Sequence, residues 1–129
     1  MSNRAQDWLR QAERDLHHAK VSREAGDHEW ACFAAHQTAE KACKALHFHL
    51  GQEAWGHVII RLLGALPHDR PAPDELIEKA RFLDTMYVPT RYPNGHSTGA
   101  PYEYYGTLQS EQAIQYASET VEFCRLQMA

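Results

Sequence analysis

The sequence predicts an all-α protein: an up-and-down helical bundle of about five helices, with two long antiparallel helices and a long loop before the last helix. Three observations carry this. Apolar residues recur at steps of three and four along nearly the whole chain, which is the spacing of one helix face. No stretch alternates apolar with polar residues as a half-buried strand would. Glycine and proline gather between the periodic stretches, most densely from Val88 to Gly106.

The first helix is expected from about Arg4 to Ala25, where Ala5, Trp8, Leu9, Ala12, Leu16 and Ala19 form one stripe and Gly26-Asp27 punctuates its end. A second stripe, Cys32, Ala35, Ala39, Cys43, Leu46 and Leu50, runs to a natural stop at Gly51. Its neighbours Ala31, Ala34, Ala42 and Ala45 are small enough for close helix approach. A short third helix is expected from His57 to Leu66, ended by Pro67, and the proline-rich stretch His68 to Pro73 reads as a loop. Asp74 and Glu75 favour the start of a fourth helix, carried by Leu76, Ile77, Ala80, Leu83 and Tyr87. Ile114, Ala117, Val121, Cys124 and Met128 mark the last one, with Ser110 or Thr107 as its cap.

A chain of 129 residues with 43% hydrophobic and 23% charged residues suits one globular domain, here residues 1–129. No apolar run approaches the roughly 20 residues that span a bilayer, and Met1 to Arg10 already carries polar and charged residues. The expectation is a cytoplasmic protein with no membrane association. Three widely spaced cysteines, Cys32, Cys43 and Cys124, lie at helical spacing among apolar residues and read as reduced core thiols. A formal net charge of -4 argues against a broad electrostatic grip on nucleic acid, so any RNA contact has to be local. The mixed-sign runs Arg10 to Arg14 and Glu40 to Lys44 read as solvated helix faces. His36 and Glu40 are one helical turn apart, but two ligands make no metal site, and no metal or other cofactor is expected.

Long irregular loops inside a small domain are uncommon and are often functional, which draws attention to Arg91 and His96 between Val88 and Gly106. The tyrosines Tyr92, Tyr102, Tyr104 and Tyr105 in the same loop can stack on unpaired bases, as can Tyr87 before it, or pack in a core or interface. Arg91 has an equally ordinary alternative in pairing with a nearby carboxylate such as Asp84, with His96 a plain exposed loop residue.

Trp8-Leu9, Ala12 and Asp15-Leu16, followed by Trp30-Ala31-Cys32-Phe33-Ala34-Ala35-His36-Gln37-Thr38-Ala39-Glu40-Lys41, resemble the first two helices of the HEPN family. The stretch Leu83 to Pro93 is similar to the segment that leads into the Arg-x4-6-His motif of small prokaryotic members, and Arg91 and His96 satisfy that motif with four residues between them. The resemblance spans nearly the whole chain. It implies a helical bundle that works as a homodimer, in which two loops converge and double the Arg and His set. Two positions depart from patterns found in the family: Tyr92 stands directly after the Arg, where a small polar or charged residue is common in nuclease-active members, and Thr98 stands where toxin-type members carry a Tyr.

What the resemblance implies for function is a metal-independent endoribonuclease, in some members the toxin of a pair with a nucleotidyltransferase antitoxin, acting on single-stranded RNA. The alternative is a catalytically silent subunit that partners a nucleotidyltransferase or binds a nucleotide. Arg91 and His96 are the catalytic candidates. An arginine offers a permanently charged fork that holds phosphate through two hydrogen bonds, and histidine exchanges protons near neutral pH. Tyr92, Tyr102, Tyr104 and Tyr105 are the candidates for RNA or nucleotide binding.

Overall fold

The architecture comes from a computed structural model that describes residues 4–129; Met1 to Asn3, the start of the expected domain, lie outside the described residues. Five helices follow one another, α1 Ala5–Glu24, α2 His28–His49, α3 Ile59–Gly64, α4 Asp74–Asp84 and α5 Thr107–Gln127, with no strand among the described residues.

Helix α1 buries Ala5, Leu9, Ala12 and Ala19 on the expected stripe, and Asp7 in its first turn and Arg23 in its last complement the helix dipole. Gly26 then takes a φ of 84°, a left-handed turn that needs no Cβ, and the chain reverses into α2. Helix α2 is the spine of the molecule. It packs against both α1 and α5, which leaves Ala35, Ala39, Ala42 and Cys43 fully or almost fully buried, and the small side chains let the helix backbones approach. Leu46 completes that face, and Gly51 ends the helix at a φ of 76°.

Helix α3 is shorter than the span His57 to Leu66. His57 and Val58 are not helical because the Asp84 carboxylate, from the last turn of α4, accepts the backbone N–H groups of Ile59 and Ile60 at 2.7 and 3.0 Å. Those amides are the orphan donors of a helix start, so their capture fixes where α3 begins. Helix α4 starts at Asp74 as expected and buries Leu76, Ala80 and Leu83, but it ends at Asp84, before Tyr87.

Neither expected cap of α5 plays that role. The helix starts at Thr107 with Gly106 in the capping position, and the Gly106 N–H donates to Gln109 Oε1 at 3.0 Å. Ser110 is buried a turn further in, where its hydroxyl bonds Thr107 O at 3.2 Å and His28 Nδ1 at 2.8 Å. Two short 3-10 turns, Pro93–Gly95 and Pro101–Glu103, give the segment between α4 and α5 a defined path. Among the described residues no helix is long and apolar enough to cross a membrane.

Candidate active site

The segment after α4 is anchored by Thr90, whose buried hydroxyl donates to Met86 O at 2.7 Å. The Arg91 and Tyr92 N–H groups both return to Val88 O, at 3.0 and 3.2 Å, which turns the chain so that Arg91 faces α2. Its Nε donates to Tyr87 O at 2.9 Å. The guanidinium lies 4.2 Å from the centre of the Phe33 ring, 4.5 Å from that of Tyr87 and 5.2 Å from that of Tyr92. Such a cage favours a cation through the ring quadrupoles and fixes the plane of the fork.

No carboxylate among the described residues reaches Arg91, and its two terminal nitrogens make no hydrogen bond there. Asp84, the partner that proximity in sequence suggests, is committed to the α3 amides and lies 3.7 Å from His36 Nε2. The guanidinium is therefore held by aromatic faces and a carbonyl, with no carboxylate against it among the described residues.

His96 closes the same loop. Its Nε2 lies 2.7 Å from Pro89 O, and because a carbonyl only accepts, Nε2 carries the proton. In the neutral ring this leaves Nδ1 as a bare acceptor. Tyr104 stacks flat on the imidazole at 4.1 Å with an interplanar angle of 8°, and Tyr105 meets it edge-on at 6.0 Å. The Tyr104 hydroxyl donates in turn to Thr98 O, and Gln109 Nε2 donates to Tyr104 O at 3.1 Å, which ties the stack to α5. Burial pushes the Tyr105 phenol above its ordinary range, with the nearby Cys32 thiol adding to the effect. The turn between Arg91 and His96 is tight: a Cβ on Gly95 would lie 2.8 Å from Pro89 Cα.

The structure thus brings Tyr92 to Arg91 and Tyr104 and Tyr105 to His96, and leaves Tyr102 apart, 68% exposed and without a ring contact among the described residues. Phe33 is the residue that sequence reasoning misses. It sits one turn before Gln37 on α2, and nothing in a helical repeat separates a ring that packs inward from one that supports a loop cation.

The run Glu40 to Lys44 is not a solvated face. Glu40 and Lys44 are both buried, with Lys44 Nζ donating to Glu40 Oε2 at 3.0 Å and His57 Nδ1 to Glu40 Oε1 at 2.8 Å. The reason is that α2 is covered on several sides, so even its polar positions lie inside. His36 does not pair with Glu40; it bonds His57 O through Nε2 at 2.9 Å and Gln37 Oε1 through Nδ1 at 3.2 Å. The three cysteines are buried free thiols. Burial, and to a lesser extent the Glu29 charge, pushes Cys32 up to about 12, and contact with Cys124 together with burial raises Cys43.

The profile of the HEPN domain matches residues 5–127. Among solved structures, the chain is similar to TT1696 from Thermus thermophilus, with 47% identity and a TM-score of 0.96 over 98% of this chain and 99% of that one. It is similar to ST0689, an archaeal HEPN homologue, with 38% identity and a TM-score of 0.84 over the full length of both. An HEPN domain protein from Thermotoga maritima shares 33% identity with a TM-score of 0.75 over 92% of this chain and 94% of that one. No curated protein matches the chain. With the five-helix bundle, the loop between α4 and α5 and a profile match over almost the whole length, the chain belongs to the HEPN domain family.

Proposed function

We propose that this protein is a metal-independent endoribonuclease that acts as a homodimer, with Arg91 and His96 as its catalytic residues. The observation that carries the reading is that one closed loop presents two unspent groups: the terminal nitrogens of Arg91, held over Phe33 and Tyr87, and the Nδ1 lone pair of His96, set by the bond from Nε2 to Pro89 O. In RNA the 2′-hydroxyl is a built-in nucleophile. His96 Nδ1 takes its proton as the oxygen attacks phosphorus, and Arg91 holds the non-bridging oxygens where negative charge accumulates. The products are a 2′,3′-cyclic phosphate and a 5′-hydroxyl. A dimer sets two such loops side by side and doubles the positive charge around one phosphate.

The test is cleavage of varied single-stranded RNAs in the presence of a chelator. Cleavage that is lost in Arg91→Ala and in His96→Ala, with melting temperature retained, supports the reading. A second reading rests on Tyr92, which is half exposed within 5.2 Å of the guanidinium and can offer a stacking face for a base. Oligonucleotide binding without cleavage would make the chain a silent binding subunit; a nucleotidyltransferase partner fits either form, as the antitoxin of the ribonuclease or as the partner of the silent subunit. A monomer at micromolar concentration by light scattering would remove the two-loop site.

A further inference from the structure

Cleavage through the 2′-hydroxyl needs two proton transfers, one from the nucleophile and one to the departing 5′-oxygen, and the loop of each protomer carries a single histidine between Arg91 and Gly106. A second imidazole, that of His57, shares the Tyr87 ring with the Arg91 guanidinium. His57, in the extended segment before α3, stacks on Tyr87 at 4.8 Å with an interplanar angle of 19°, and Tyr87 is the same ring that lies 4.5 Å from the Arg91 guanidinium. Its side chain is 53% exposed, whereas the Glu40 carboxylate to which it is bound is 5% exposed. A buried carboxylate that only accepts holds Nδ1–H at 2.8 Å whether the ring is neutral or protonated, so Nε2 is the atom left to gain and lose a proton.

Resting on the ribonuclease reading above, we infer that His57, oriented by Glu40, is the second proton-transfer residue of the Arg91 site. The surroundings are built for one ring position. Lys44 Nζ fixes the other Glu40 oxygen at 3.0 Å, and His36 Nε2 bonds the His57 carbonyl at 2.9 Å. The ring itself meets the Glu40 carboxylate from α2 and the Tyr87 ring; Lys44 bonds the far Glu40 oxygen, His36 bonds the His57 backbone carbonyl with Asp84 3.7 Å from its Nε2, and Arg91 lies against Tyr87. In the reaction the 2′-oxygen forms its bond to phosphorus while His96 Nδ1 takes the 2′-hydroxyl proton. The bond from phosphorus to the 5′-oxygen breaks while protonated His57 gives its Nε2 proton to that oxygen. Solvent then returns both rings to their starting states. Glu40 acts through His57 and is a positioning residue.

The experiment uses the full chain. RNA cleavage is followed from pH 5 to 9 in wild type, His57→Gln and Glu40→Gln, and the His57 ring resonances are followed by NMR in wild type as a short 2′-O-methyl oligonucleotide, which binds and cannot be cleaved, is added to saturation. The expected results are a bell-shaped wild-type profile, a His57→Gln protein slower by about 10²-fold that has lost the alkaline limb and kept the acidic one, and a Glu40→Gln protein in which the same limb moves. The His57 resonances shift on titration. If wild type cleaves and His57→Gln keeps its rate and both limbs, the inference is overturned while the ribonuclease reading stands. If wild type does not cleave, the ribonuclease reading and the proton transfer fall together, and a shifted His57 resonance then keeps the residue only as part of an oligonucleotide site. Resonances that do not move under saturating oligonucleotide overturn the inference whatever the cleavage assay shows.

Discussion

The Arg91 guanidinium rests 4.2 Å from the centre of the Phe33 ring, so a residue of the loop between α4 and α5 is fastened to the second helix by a cation over an aromatic face. Such contacts contribute about 0.5–2 kcal/mol, depending on exposure. Phe33→Leu keeps an apolar side chain and removes the quadrupole. We expect it to cost cleavage roughly tenfold, the rate equivalent of about 1.4 kcal/mol, while the melting temperature falls by only a few degrees, and Phe33→Tyr to restore most of the rate. Equal rates for Leu and Tyr at this position would show that the ring does not position the guanidinium.

Gly95 gives a second test of loop geometry. A methyl group there meets the Pro89 backbone at 2.8 Å, and neither partner is a flexible side-chain end that can give way. Pro89 O is also the acceptor for His96 Nε2, so displacing it moves the imidazole. A displacement of about 1 Å at a catalytic group can cost roughly 10²-fold in rate. Gly95→Ala is expected to lower cleavage toward that extent while the denaturant midpoint of the bundle stays close to wild type, because the turn lies outside the core. An unchanged rate would mean that the bond from His96 to Pro89 does not set the reactive geometry.

Asp84 should matter for stability rather than for neutralising Arg91. Removing its carboxylate leaves the Ile59 and Ile60 amides without their acceptor, and an unsatisfied buried donor costs about 1–3 kcal/mol. Asp84→Ala is expected to lower the unfolding free energy by that amount, seen as a lower urea midpoint at unchanged slope, and Asp84→Asn, which keeps one oxygen, to lower it less. Equal stability of the Ala variant and wild type would contradict the capping role.

Alkaline stability is set in part by Cys32. The thiol is pushed from 9.0 to about 12 in the folded chain, so the unfolded state gives up its proton first as pH rises. The native state then binds more protons than the unfolded one, and stability falls with rising pH. The contribution is fully present below about pH 9 and is lost progressively between 9 and 12. Cys32→Ala is expected to flatten that decline in urea titrations, with part of it remaining through the raised Cys43. An identical slope in the variant would place the alkaline sensitivity elsewhere.

The helices were legible in the sequence because their periodicity is local. The stripe from Ala5 to Ala19, the small residues of α2 and the stop at Gly51 all follow from spacing and backbone sterics within a few residues. The interruption from Val88 to Gly106 was legible for the same reason, since proline and glycine break a helix wherever it packs. The sequence alone could not distinguish a solvated ion pair from a buried one at Glu40 and Lys44, because spacing of four is identical in both. Only the return of the segment before α3 over α2 brings His57 Nδ1 within 2.8 Å of Glu40. Asp84 and Arg91 make the same point from the other side. Their closeness along the chain suggested an ion pair, but tertiary packing places the free amides of α3 against the carboxylate and the rings of Phe33 and Tyr87 against the cation, and a charged side chain has only as many partners as its few hydrogen-bonding directions allow.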